Sequence, residues 1–224
     1  AREAILFQPT MAISDGEGGA FVADSGNCVI RRINAAGTIS TFAGATCGFA
    51  VLPGQVKIGA PAALVRDRKG NLYFSDGTSV WRITDGKVSG YGSFPSSAGL
   101  ALDPAEENLY VVQTGRHLIS RINLATGVRS AFAGSGTPGF AGDGELATEA
   151  RFSFPSDITV DRDGNVFVAD RGNNRIRRID AVSLRVSTVA GNGTADVVES
   201  GPALSSGLPA PTSIAVDAIG SLYL

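Results

Sequence analysis

One thirteen-residue stretch is written twice. Val22 to Asn34 reads VADSGNCVIRRIN and Val168 to Asp180 reads VADRGNNRIRRID, identical at nine positions although far apart in the chain. A strand–turn–strand unit that cannot bury its apolar faces alone has to stack on copies of itself, so the duplication points to a repeat architecture before anything else. Extending the pair gives PTMAISDGEGGAFVADSGNCVIRRINAAGTISTFAG and PSDITVDRDGNVFVADRGNNRIRRIDAVSLRVSTVAG. A third copy reads SAGLALDPAEENLYVVQTGRHLISRINLATGVRSAFAG, a weaker one AALVRDRKGNLYFSDGTSVWRITDGKVSGYG, and a fifth opens as PTSIAVDAIGSLYL. They place units near residues 7–50, 51–93, 94–150, 151–210 and 211–224, the last incomplete.

Within a unit, runs such as Ile158 to Val160, Val166 to Ala169 and Arg175 to Ile179 are rich in β-branched or aromatic residues. Gly, Asp and Asn punctuate them, with no helical period of useful length. Four short antiparallel strands per unit follow, and radial stacking of twisted four-stranded sheets gives an all-β fold, a β-propeller with about five units visible. At 43% hydrophobic residues and 18% charged, the chain has material for a sizeable core. No run approaches the ~18 consecutive apolar residues of a membrane helix, so no membrane insertion is expected. A net charge of -2 speaks against nucleic acid as the main partner, because phosphate contacts leave a basic balance.

VFVADRGNNRIRRID, the ITVDRDG before NVFVAD, and the glycine-rich FAGSGTPGFAGDGELATEARFSFPSDITVD from Phe132 to Asp161 together resemble the NHL-repeat family of β-propellers. A worn copy of the glycine-rich connector recurs as VAGNGTADVVESGPALSSGLPAPTSIAVD. The resemblance implies four-stranded NHL-type blades, six in a closed ring, and spans nearly the whole chain. It implies no single function, because the family includes RNA-binding repressors, a zinc-dependent amidating lyase, extracellular receptor domains and sensor domains of bacterial kinases. The fifth unit stops at Leu224 after its second strand, and the expectation is that these residues are a piece of a longer, multidomain protein.

Most conspicuous polar residues have an ordinary structural use. Asp24, Asp76 and Asp170 follow a second strand, where a carboxylate accepts N–H groups of the next turn, and Asp103, Asp161 and Asp217 do the same after a first strand. Arg177 and Arg178, like Arg31 and Arg32, are strand neighbours and point to opposite faces, which suits ion pairing with the Asp residues. Asp143 and Glu145 in the GDGE segment fall short of the six to eight oxygens that calcium takes. A zinc site of the lyase type needs several histidines, and His117 is the single one. No catalytic residue, metal ligand or cofactor is therefore expected.

The function expected is a non-enzymatic interaction scaffold that presents inter-blade loops to a protein or glycan partner, as a component of a larger assembly. The candidate contacts are apolar or charged connector residues with no core to face: Phe49 and Leu52, Phe140 and Asp143, and Val197 and Val198. In a propeller the loop between strands two and three shares a face with the connector leaving strand four. Cys28 and Cys47, placed in those two segments of one blade, either form a disulfide or remain two separate thiols; a Cα separation above ~7 Å rules the bond out. With the sequon Asn192-Gly193-Thr194, a glycosylation site, the pair points to an extracellular or cell-surface location. A metal-dependent lyase or lactonase and an RNA-binding propeller using Arg31, Arg175 and Arg177 are the alternatives.

Overall fold

A computed structural model describes residues 5–44, 57–196 and 200–224, which divide into two compact units, 1–97 and 98–224. In the first, β1 (Pro9–Ser14), β2 (Ala20–Asp24), β3 (Val29–Ile33) and β4 (Ile39–Gly44) form an antiparallel sheet in chain order. They are followed by β5 (Ala63–Arg66), β6 (Leu72–Ser75), β7 (Gly77–Thr84) and β8 (Lys87–Leu102), again antiparallel neighbours in order. β8 pairs with β7 through Ser97, and its remaining residues belong to the second unit.

In the second unit the end of β8 leads to β9 (Asn108–Gln113), β10 (Leu118–Asn123) and β11 (Arg129–Ala133). A further sheet follows, β12 (Asp157–Val160), β13 (Val166–Asp170), β14 (Arg175–Ile179) and β15 (Val186–Ala190), and then the pair β16 (Ala215–Val216) and β17 (Leu222–Tyr223). The fold is all-β, of the propeller class, with four-stranded blades and a short final one.

Why the blades stack is visible in β13, which is buried along its whole length. Alternate side chains leave opposite faces of a strand. Val166 and Val168 enter a cluster with Tyr110, Val112, Ile119 and Phe152, while Phe167 and Ala169 enter another with Ile176 and Ile214. Each face of the sheet is therefore a core shared with a neighbouring blade of the same unit. Phe21, Leu64, Phe74 and Ile83 build the corresponding cluster in the first unit.

The turn between first and second strands repeats in all five copies. Asp15, Asp67, Asp103, Asp161 and Asp217 each accept, at Oδ1, the N–H of Gly19, Asn71, Asn108, Asn165 and Ser221 at 2.8–3.0 Å. These are Asx turns of the expected kind. The outer strand β15 is covered rather than left open: residues 143–147 of the preceding connector run beside it, Gly144 N–H bonding Val186 O at 2.7 Å and Val186 N–H bonding Glu145 O at 3.0 Å. Covering an edge strand in this way blocks pairing with another chain.

Candidate functional site

The junction between second and third strands organises the loop face of every blade. After β2, β9 and β13 the chain makes a one-turn 3₁₀ helix, Ser25–Asn27, Thr114–Arg116 and Arg171–Asn173, closed by a residue in the left-handed region: Cys28 (φ 53°), His117 (φ 55°) and Asn174 (φ 53°). The carboxylates before two of these turns act differently from the sequence expectation. From the following turn Asp24 and Asp170 accept the side-chain amides of Asn27 and Asn173; the backbone N–H groups they take are those of Phe7 (2.8 Å) and Ser153 (2.7 Å), each seventeen residues upstream. Phe7 and Ser153 return the favour through their carbonyls, which accept Gly26 N–H (2.8 Å) and Gly172 N–H (2.7 Å). This close approach explains the duplicated glycine, since a Cβ on Gly172 would lie 2.7 Å from the Ser153 carbonyl oxygen. Asp76 does both jobs, accepting Gly59 N–H at 3.1 Å and the turn N–H groups of Thr78 and Ser79.

A third-strand donor completes each junction, and its chemistry changes from blade to blade. Arg31 Nε donates to Asp24 (3.0 Å), Trp81 Nε1 to Asp76 (2.8 Å), Ser120 Oγ to Gln113 (2.7 Å) and Arg177 to Asp170 (3.4 Å). Burial pushes the Asp24 carboxyl up, but bonds from Asn27, Phe7 N–H and Arg31 outweigh it and hold the group below the usual carboxylate range. At Asp170 burial wins over the bonds from Asn173, Ser153 and Arg177, and the carboxyl is raised. Arg178, on the opposite face from Arg177, pairs with Asp180 at 2.8 Å.

The left-handed residues tie down the next connector. His117 Nδ1 accepts Phe154 N–H at 3.1 Å, with the Phe154 ring edge-on at 4.6 Å, and Asn174 Oδ1 accepts Ala210 N–H at 2.9 Å. His117 is thus buried against the connector. Aligning QTGRH with DRGNN finds this position in the sequence, although the backbone groups it binds carry no side-chain letter.

The connector residues singled out in the sequence are partly consumed by the fold. Asp143 accepts Arg177 (2.7 Å) and Thr188 Oγ1 (2.8 Å). Arg177, fully buried, also reaches the carbonyls of Ala141 and Arg151, while its Nε has no partner among the described residues. Phe140 lies with one guanidinium at 3.8 Å (Arg175) and another at 4.8 Å (Arg177) from its centroid, yet the ring is 45% exposed. Phe49, Leu52, Val197, Val198 and Cys47 fall outside the described residues. Asn192 is exposed on the connector after β15. Sequence reasoning missed Leu146, Val182 and Leu184, large apolar side chains exposed at 43%, 93% and 45%. Among the described residues no three His, Cys, Asp or Glu side chains converge as metal ligands, and the imidazole of His117 is engaged with Phe154.

Residues 152–179 match the NHL repeat. Human teneurin-1 is 30% identical over 154 residues, 61% of this chain and 6% of that protein. Protein SUPPRESSOR OF QUENCHING 1, chloroplastic, from Arabidopsis thaliana is 27% identical over 155 residues, 66% and 14% respectively. The chain therefore spans only a small part of the length of these curated relatives. Among solved structures, an auxiliary nutrient binding protein from Bacteroides thetaiotaomicron superposes with a TM-score of 0.73 at 15% identity, covering 93% of this chain and 54% of that one. Virginiamycin B lyase from Staphylococcus aureus gives 0.61 at 19%, covering 92% and 59%, and a chain of the nidogen/laminin complex gives 0.60 at 19%, covering 80% and 61%. At such identities the likeness concerns the fold. The matched segment takes in β12, β13 and β14, so the chain carries an NHL repeat within a β-propeller fold.

Proposed function

We propose that the chain is a non-catalytic interaction scaffold whose rigid inter-blade loops engage a protein partner within an extracellular or cell-surface assembly. The observation that carries this reading is the trio Leu146, Val182 and Leu184. Backbone bonds fix the segments that carry them: Ala147 N–H bonds Leu184 O at 2.8 Å, Leu146 bridges Arg185, and Leu184 N–H bonds Asp180 O at 3.0 Å, closing the turn that carries Val182. Leu184 sits at φ 54°, where a bulky side chain costs about 1 kcal/mol. Apolar side chains displayed on strained, well-bonded backbone fit recognition better than folding. The same-fold chain in the nidogen/laminin complex supports a protein partner. We read residues 1–224 as part of a longer protein, which the greater length of the curated relatives supports, and as carrying a Cys28–Cys47 disulfide and a glycan on Asn192.

The lyase among the fold neighbours keeps an enzyme as the alternative. The described donor set does not fit a metal of that kind, and Arg31, Arg175 and Arg177, the candidate RNA contacts, are engaged within the chain. The test pairs Leu184→Asn with the wild type. Asparagine tolerates the left-handed region, so the variant should gain up to about 1 kcal/mol of stability while losing most of the partner captured from a cell-surface extract. Elemental analysis and lyase and lactonase assays run in parallel; a stoichiometric metal with turnover would refute the scaffold reading.

A further inference from the structure

We infer that the half-exposed ring of Phe140 is the seat of the first sugar of an N-linked glycan on Asn192; this rests on the reading of Asn192 as a glycosylation site. Both polar atoms of the Asn192 side chain are fixed: Oδ1 accepts Thr194 N–H at 2.8 Å, and Nδ2 donates to Ser205 O at 3.0 Å. A glycosylated amide keeps one N–H, the number that the bond to Ser205 needs, and Asn192 is exposed, as an attachment point has to be. The attachment forms a bond from Nδ2 to C1 of the sugar and breaks the C1–oxygen bond to a lipid pyrophosphate carrier. The carrier leaves as its pyrophosphate, and Nδ2 gives up one proton.

Arg175 links that asparagine to the ring. Its Nη2 donates to Asn192 O at 2.8 Å and its Nη1 to Asn173 O at 2.8 Å, and the guanidinium so fixed lies 3.8 Å from the Phe140 centroid. One guanidinium therefore separates the sequon backbone from an aromatic ring that is 45% exposed. Pyranose rings present an apolar C–H face, and a half-exposed aromatic ring one guanidinium away from the sequon backbone is a surface on which that face packs.

The chain, fused to a secretion signal, is expressed in a eukaryotic host alongside a control glycoprotein, and Asn192 occupancy is read from intact and peptide masses. Melting is then compared for the protein trimmed to its first sugar and the protein stripped completely, in wild type, Phe140→Ala and Phe140→Leu, the last keeping apolar bulk over Arg175 if the alanine variant fails to fold. The expected result is a glycan on Asn192 and a fall of about 2–4 °C when the first sugar is removed from wild type, with the fall largely absent in the Phe140 variants. An unmodified Asn192 in a host that modifies the control overturns the glycoprotein reading and the seat with it. A glycan whose removal shifts wild type and variants equally overturns the seat alone.

Discussion

Arg31 and Arg177 occupy the same place in the duplicated stretch, and replacing each with methionine should have unequal consequences. Arg177 is fully buried and serves four acceptors: Asp143 at 2.7 Å, Asp170 at 3.4 Å, and the carbonyls of Ala141 and Arg151 at 3.2 and 3.3 Å. Methionine keeps much of the stem volume but leaves Asp170, itself without solvent exposure, facing no cation. Removing one partner of a buried pair costs about 3–5 kcal/mol, and deleting the unpartnered Nε returns about 1, for a net loss of about 2–4 kcal/mol. Arg31 is 27% exposed and, among the described residues, bonds Asp24 and Thr41, so Arg31→Met should cost only about 1 kcal/mol. Urea titration followed by circular dichroism measures both. In thermal melts the Arg177→Met loss corresponds to a fall of about 4–16 °C. Losses equal within about 0.5 kcal/mol would refute the argument that the connector, rather than the blade, gives Arg177 its weight.

The two carboxylates should also differ in the direction of their pH dependence. Asp24 is held below the usual range, so its stabilisation is complete above the unfolded carboxylate pKa and is lost as pH falls through it; the gap between wild type and Asp24→Asn should close on acidification. Asp170 is raised, so its contribution is fullest below the unfolded pKa and is lost as pH rises through the folded value; the gap to Asp170→Asn should widen on acidification. Stability series between about pH 3 and 7 decide the signs. His117→Asn should be neutral or stabilising, because Asn174 performs the same bond from the same backbone conformation, whereas His117→Leu leaves Phe154 N–H without its acceptor and should cost about 1 kcal/mol by urea titration.

The repeat, the strand count and the Asx turns were legible because they rest on local physics: period-two burial as in Val166 to Ala169, and Asp at the end of a first strand followed within five residues by the N–H it accepts. The junction partners were not. Asp24 and Asp170 bind backbone N–H groups seventeen residues upstream, and a backbone group has no letter to align. Asp76 with Trp81 and Gln113 with Ser120 do the work of Asp with Arg while sharing no residue type at the donor. Phe140 was read as a free contact because no sequence pattern shows that Arg175, thirty-five residues on, would lie against its ring.

That interchange of chemistries says what the ion pair in β13–β14 is for. Blade three pairs its strands β9 and β10 through six registered residues with a neutral Gln113–Ser120 bond where blade four has Asp170 and Arg177, so strand pairing there is made without this ion pair. What Arg177 has and Ser120 lacks is reach: it extends beyond Asp170 to Asp143, Ala141 O and Arg151 O, the segment that covers the edge of β15. The double variant Asp170→Gln/Arg177→Ser should therefore keep the amide protection of β13 and β14 while releasing the connector. Hydrogen exchange should rise across residues 139–151, and limited proteolysis should cut there first. Two buried charges leave together, so the stability loss should be smaller than for Arg177→Met alone. If protection instead collapses along β13 and β14 with the connector, the ion pair holds the blade itself, and the division of labour between strand pairing and connector anchoring is wrong.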